Sequence, residues 1–259
     1  MENRYAKEWV DYHLTLGFDR IYIYDNNRGQ EEHFTDVLTD YDPGRLVIVD
    51  YRDQESAQHD AYNDCYRRFG DESEWMAFFD FDEYLVTDKP LCEFLAGYPQ
   101  ADCLLINWRV MTDSGLVIYD PRPVRERFTM PLPDDAMMRG EHRYNDHVKS
   151  IVRGGLSEVR FHSNPHVPLG PTVYCVPDGS TCSSSPFQRC SHEHARLDHY
   201  LTKTIDEWLH VKFVRGYPCG ITQLWRERMA LPQFFEINAH TPEKDAIVAK
   251  WMAEHHICP

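Results

Sequence analysis

The sequence predicts an α/β protein, a mostly parallel sheet flanked by helices and followed by a helical C-terminal region. Three observations carry this. Short apolar runs (Ile21–Tyr24, Leu46–Val49, Trp75–Phe79 and Leu104–Ile106) alternate with helix-period segments through the first half of the chain. The runs are continuous rather than alternating, as expected of strands covered on both faces. Beyond Tyr200 the pattern is helical.

Taken in order, Tyr5, Trp9, Tyr12 and Leu16 recur at steps of four, three and four, one face of a helix, and Gly17 follows as its natural C-cap. Ile21-Tyr22-Ile23-Tyr24 is a short strand ending in Asp25-Asn26-Asn27, and Leu46-Val47-Ile48-Val49 is another behind the turn Asp42-Pro43-Gly44. A helix is expected between Glu55 and Phe69, then a strand over Trp75–Phe79 and a further one at Leu104-Leu105-Ile106. Pro121, Pro123, Pro131 and Pro133 mark a surface loop, and Gly170 to Ser191, rich in Pro, Gly, Ser and Cys, reads as irregular connection. His147–Val152 returns to strand; its Lys149, with Arg153 beyond, faces solvent by default. Helices are expected over Tyr200–Val214, Thr222–Ala230 and Pro242–Glu254, the last with Thr241 as N-cap.

The chain has 259 residues, with Lys+Arg 27 against Asp+Glu 42 and a net charge of -15. That sign excludes a broad basic face for nucleic acid or anionic lipid, so a bound phosphate needs a local device. With 42% hydrophobic residues the chain folds rather than forming an acidic tail. No run approaches the ~18 apolar residues that span a bilayer, and no secretory signal opens the chain, so a soluble, cytoplasmic protein is expected. The eight cysteines form no C-x-x-C pair, which argues against a zinc knuckle and for reduced thiols; a disulfide among Cys175, Cys182 and Cys190 stays open.

The most informative segment is W-M-A-F-F-D-F-D-E-Y-L, Trp75 to Leu85, where an apolar strand delivers Asp80 and Asp82 at its C-terminal end, the edge at which open α/β sheets bind ligands. Residues two apart on an extended chain project to one side, so both carboxylates can meet one hard divalent cation. In an acidic protein such a cation also lets diphosphate approach. The plain alternative is a pair of solvated acids. Two chemistries use acids so placed: sugar transfer from a nucleotide diphosphate, with the metal stabilising the leaving oxygen, and haloacid-dehalogenase-type phosphate transfer, with Asp80 as nucleophile. The second usually has a small residue where this chain has Tyr84. His162 and His166 stand in H-S-N-P-H, whose Pro165 denies them the helical spacing of a zinc protease.

The segments Glu2–Asn27, Gln58 with Ala61–Cys65, Trp75–Leu85, Ile106–Arg109 with Ser114-Gly115, His147–Arg153 and Asp198–Trp208 together resemble glycosyltransferase family 92 and its bacterial family-2-like relatives. The resemblance implies a GT-A-like, Rossmann-like domain over residues 1–216, with 217–259 as a C-terminal helical extension. It implies a UDP-sugar as nucleotide-sugar donor, Mn2+ or Mg2+ as cofactor, and a glycan or glycolipid acceptor, with peripheral membrane association as the route to a lipid-linked one. Asp80, Asp82 and His199 would hold the metal. Asp25, Asn26, Gln58, Asn63 and Lys203 would bind the donor, with His199 and Lys203 on one face of the closing helix. Asp113 or Glu83 would be the catalytic base, and His162 or His166 would line the sugar site. The group carries an apolar strand ahead of this opening, so the first sheet strand is expected to be absent and a catalytically silent relative is a further alternative.

Overall fold

The computed structural model describes residues 2–27, 29–54, 57–215 and 223–255. In chain order the elements are α1 (Asn3–Leu16), β1 (Ile21–Asp25), α2 (Phe34–Val37), β2 (Leu46–Asp50), α3 (Gln58–Phe69), β3 (Trp75–Ala77), β4 (Glu83–Thr87), α4 (Leu91–Ala96), β5 (Cys103–Val110), α5 (Val124–Arg127), β6 (Met137–Met138), β7 (His142–Arg143), β8 (Val148–Arg153), β9 (Tyr174–Cys175), β10 (Thr181–Cys182), β11 (Ala195–His199), α6 (Ile205–Leu209), α7 (Gln223–Ile237) and α8 (Pro242–Glu254). The expected ends Glu55 and Thr222 lie outside the described residues. No helix among the described residues is long and apolar enough to cross a membrane.

Two compact units form, and they divide the chain differently from the expected 1–216 and 217–259: Glu2–Arg109 with Asp134–His199 is one, and Val110–Pro133 with the chain from Tyr200 onward is the other. In the larger unit, β1 and β2 pair in parallel, with Asp25 opposite Asp50 at their C-terminal ends. A second sheet runs β10-β9-β5-β11-β4, with β8 joined to β5 and β3 to β8. Its core holds Met76, Phe78, Leu105, Val148, Val152 and Phe161, while Val10, Ile21, Ile23 and Phe34 bury the inner face of α1 against the β1–β2 pair.

The α/β class holds, but the mostly parallel sheet does not. Strands β3–β8, β5–β8, β4–β11 and β9–β10 are antiparallel, while β1–β2 and the short β5–β9 contact are parallel. Parallel neighbours need a crossover of roughly a dozen residues or more, usually helical. The β1-to-β2 connection supplies one. Between β4 and β5 the connection is helical too, yet β11 inserts between those strands. The alternation of buried Ala195 and Leu197 with polar Arg196 and Asp198 is the strand signal.

Helix α1 begins at Asn3 and ends as expected at Gly17, whose φ of 123° favours glycine. It also covers β4: Trp9 Nε1 donates to the Glu83 carbonyl (2.8 Å), Tyr12 OH to the Leu85 carbonyl (2.6 Å), and His13 Nε2 accepts from the Leu85 N–H (3.4 Å). Backbone groups of a strand are thereby satisfied by a helix.

The Tyr200–Val214 helix is shorter than expected, starting at Ile205. Thr204 and Glu207 form a capping box there, and the backbone widens into a π-type turn over His210–Arg215. The proline-rich loop contains the single turn α5 behind Pro123, and Gly170–Ser191 contains the pair β9–β10. At α8 the expected cap is present, with Thr241 accepting from the Lys244 N–H. Cys65, Cys92, Cys103, Cys175, Cys182 and Cys190 are free thiols, so no disulfide joins Cys175, Cys182 and Cys190.

In the smaller unit Ile205, Trp208, Leu209, Phe234 and Trp251 form the core. Beside it Arg127 donates to both Glu207 oxygens (3.0 and 3.3 Å), the two side chains being 0% and 2% exposed. Glu207 also takes the Thr204 hydroxyl at 2.7 Å. Glu207→Ala strands a buried guanidinium and is expected to lower stability by ~3–5 kcal/mol, whereas Thr204→Ala, losing the cap and the hydroxyl's bond to Glu207 while the ion pair stays, lowers it by ~1–2 kcal/mol. Equilibrium urea unfolding of both variants checks the order; equal losses would refute it.

Candidate active site

Strand β3 stops at Ala77, two residues before its apolar run ends at Phe79, and Asp80, Phe81 and Asp82 lie on a turn closed by the Glu83 N–H donating to the Asp80 carbonyl (3.0 Å). Asp80 and Asp82 therefore do not share one side of a strand. Asp80 Oδ1 accepts from Gln58 Nε2 (2.7 Å) and Tyr62 OH (3.1 Å), and its Oδ2 from Lys149 Nζ (2.8 Å). Asp82 instead approaches His199, with Oδ1 3.6 Å from Nε2. Asp80, Asp82 and His199 thus neighbour one another without gathering their ligand atoms into one cluster.

Lys149 is the residue that sequence pattern misplaced. It sits on β8 between β3 and β5, both faces covered, and its side chain is 1% exposed. Besides Asp80 it approaches Glu83 Oε2 at 3.4 Å. Burial alone would strip its proton, but Asp80 and Glu83 overcome this and hold the ammonium well above the usual lysine value. Asp80 feels the opposite balance: burial works against its charge, and Lys149 outweighs burial to hold the carboxyl below its ordinary range.

Glu83 is wholly buried, its Oε1 accepting from Trp108 Nε1 (2.9 Å) and its Oε2 from the Asp80 N–H (2.8 Å). Burial pushes its carboxyl well above the usual range, Lys149 relieves this only in part, and Asp80 and Asp82 add to it. A base must reach the proton it takes. Glu83 instead braces the turn from beneath. Asp113 is buried too: it is ion-paired with Lys244, its Oδ1 accepts from the Gly115 N–H (2.9 Å), and it belongs to the other unit.

His199 ends β11 rather than beginning a helix, so the expected shared face with Lys203 does not exist; Lys203 lies in the connection before α6, in left-handed backbone (φ 53°), in the other unit. The His199 ring packs on Trp108 at 4.2 Å between centroids, and its Nδ1 is buried without a hydrogen-bond partner. Trp108 also stacks on His147 (4.8 Å, 12°) and meets His166 edge-on (5.2 Å). His162 is exposed.

On the β1 side, Asp25 is 3% exposed and spends its oxygens on backbone: Oδ1 accepts from the Asn27 N–H (3.1 Å) and Oδ2 from the Phe34 N–H (3.0 Å) at the start of α2. Asn26 Oδ1 is buried with no partner, and a cleft lined by Gly29, Gln30, Glu31 and Asp53 lies beyond the ends of β1 and β2. Asn63 clamps the backbone of Phe161, donating to its carbonyl (2.9 Å) and accepting from its N–H (2.8 Å). Of the expected donor residues, Gln58 hydrogen-bonds to the acidic turn.

The model of glycosyltransferase family 92 matches residues 4–177, more than half of the chain. The chain belongs to glycosyltransferase family 92. The family 92 match contains Asp25, Asp80, Asp82, Glu83 and Lys149, while His199 lies beyond it. A family 92 protein of Oryza sativa subsp. japonica is 32% identical over 83 residues, covering 32% of this chain and 14% of that protein. The galactan beta-1,4-galactosyltransferase GALS3 of Arabidopsis thaliana is 34% identical over 90 residues, covering 31% of this chain and 18% of that enzyme. This family 92 chain therefore matches less than a fifth of the length of either relative. Family membership points away from the phosphatase alternative.

Burial pushes His147 down to about 4, despite its hydrogen bond to the Tyr144 carbonyl, and His166 down to about 3, where burial and then Lys149 act together. An unfolded histidine titrates near 6.5. Between these values the unfolded chain binds more protons, so stability must fall as pH drops from about 6.5, the His147 share levelling off below about 4 and the His166 share below about 3. For His147 the gap amounts to on the order of 3 kcal/mol. Thermal melts across this range are expected to show a shallower acid slope for His147→Gln than for the unaltered chain; identical slopes would contradict the assignment.

Proposed function

We propose that this chain is a glycosyltransferase of the GT-A-like type, moving a sugar from a nucleotide-diphosphate donor, a UDP-sugar, to a hydroxyl of a glycan acceptor with the help of Mn2+ or Mg2+. The observation that carries the reading is the approach of Asp82 to His199 beside the turn that begins at Asp80, in a family 92 chain. The donor set suits a divalent ion: a carboxylate oxygen at 15% side-chain exposure faces an imidazole whose other nitrogen is buried and unpartnered. Asp82 and His199 would hold the ion. Bound there, the ion would neutralise charge developing on the leaving diphosphate.

The chain's own groups do the rest. Lys149 neutralises Asp80, so the turn presents less than its full complement of negative charge to a diphosphate while Asp82 still attracts a cation. Trp108 and Glu83 fix the turn from below, and Trp9 holds the Glu83 carbonyl from α1. The cleft beyond β1 and β2, lined by Gly29, Gln30, Glu31 and Asp53, would take the nucleoside. This reading takes the general base from neither Asp113 nor Glu83, both being buried and committed to partners.

Isothermal titration of UDP with and without Mn2+ tests the proposal, followed by a panel of UDP-sugars with oligosaccharide acceptors. The expected result is Mn2+-dependent UDP binding that Asp82→Ala weakens at least about tenfold, with transfer reduced by roughly 100-fold or more. Undiminished transfer by Asp82→Ala would defeat the metal assignment, and UDP binding without turnover across the panel would instead indicate a binding protein.

A further inference from the structure

Away from the acidic turn, three side chains of different chemistry converge. Asp134, Cys190 and His192 each bring one ligand atom within 4.8 Å of the others, the one such group among the described residues. Cys190 Sγ is 3.4 Å from His192 Nε2, and His192 Nδ1 is 3.6 Å from Asp134 Oδ1. Nε2 also lies 2.8 Å from the Trp108 carbonyl oxygen, which can only accept, so in the neutral ring the proton is on Nε2 and the Nδ1 lone pair faces Asp134. The Nδ1 lone pair and the Asp134 carboxylate oxygen repel one another unless a proton or a cation lies between them, and Cys190 Sγ flanks the same ring.

The surroundings match those of bound metal. A ligating histidine typically donates its other ring N–H to a backbone carbonyl, as His192 does to Trp108, and a ligating carboxylate is itself held by a hydrogen bond. Asp134 Oδ1 accepts from Nδ2 of the buried Asn145 at 2.8 Å, and the Cys190 N–H donates to Asp146 Oδ1 at 3.1 Å. The plain alternative is an ion pair between a protonated His192 and the 66% exposed Asp134.

We propose that Asp134, Cys190 and His192 form a metal site that takes zinc, separate from Asp82 and His199. Thiolate, imidazole and carboxylate together suit Zn2+, whereas Mg2+ and Mn2+ favour oxygen ligands. As the Zn–S bond forms, the Cys190 proton leaves to solvent. Three protein ligands leave a fourth position for water on the exposed side of Asp134. The ion would join the stretch at Asp134–His147 to that at Phe187–His192, already tied by the Gln188 N–H to the Asp146 carbonyl (2.8 Å) and by Asn107 Nδ2 to the carbonyls of Asn145 and Gln188 (3.1 and 3.2 Å). Because His192 holds the Trp108 carbonyl and His147 stacks on its indole, the ion would brace the tryptophan that supports Glu83.

The test uses the full chain, with zinc content measured by mass spectrometry and Co2+ titration followed by thiolate-to-cobalt charge-transfer absorption. About one zinc per chain is expected. The cobalt absorption should be lost in Cys190→Ser and kept in Asp82→Ala, which separates this site from the proposed catalytic ion. Asp134→Asn, at a 66% exposed side chain and keeping an oxygen to accept from Asn145, should weaken zinc binding at least about tenfold. Chelation should lower the melting temperature by on the order of 5 °C in the unaltered chain and not in Cys190→Ser. Cobalt absorption that survives Cys190→Ser, no absorption at all, or unchanged zinc affinity in Asp134→Asn would overturn the site and leave the imidazolium–carboxylate ion pair.

Discussion

Lys149 carries its ammonium into the middle of a sheet, and the arrangement of the acidic turn follows from the need to compensate that charge. An isolated buried ammonium is far too costly to persist, so carboxylates must meet it. Asp80 does so at 2.8 Å, and the Glu83 carboxyl lies 3.4 Å away at the other end of the turn. Meeting one cation ties the Asp80 carboxylate to Lys149 and leaves Asp82 on the side of His199. The position that reads as the first acid of a paired motif is thereby a held residue, and the second acid is the one that faces the histidine.

Around that charge the support is layered. Trp108 donates to Glu83 with its indole N–H and packs against His199, His147 and His166 with its ring. Trp9 and Tyr12 bring α1 onto β4, and Gln58 and Tyr62 bring α3 onto Asp80. Four segments distant in sequence thus converge on one turn through directed hydrogen bonds rather than apolar contact alone. Rigidity of this kind is what positioning of charged ligands requires. Buried polar groups so connected also define one arrangement, since any slip would leave a donor or charge unpaired.

The histidines divide by environment. His147 and His166 are kept neutral by burial against Trp108, His199 ends a strand with one nitrogen unpartnered, and His192 has its tautomer set by a carbonyl. Nothing in their spacing along the chain separates these roles. Local motif reading could dismiss a helical pair at His162 and His166, because proline forbids it, but could not see Asp134 beside Cys190 and His192.

What the sequence by itself determined is local. Helix α1 with its glycine stop, β1 and β2, the strand leading to Asp80, and α8 with Thr241 and Pro242 at its start were all legible, because periodicity, caps and turn residues act over a few positions. The acidic turn and its place after an apolar run were legible for the same reason. Tertiary structure decided the pairing directions of the larger sheet, the place of His199 at the end of β11, and the burial of Lys149, Glu83 and Asp113. Those outcomes depend on which distant segment covers each face: a lysine on a strand lies in solvent or in the core according to its neighbours, and only the fold brings Asp80 to Lys149 and Asp82 to His199.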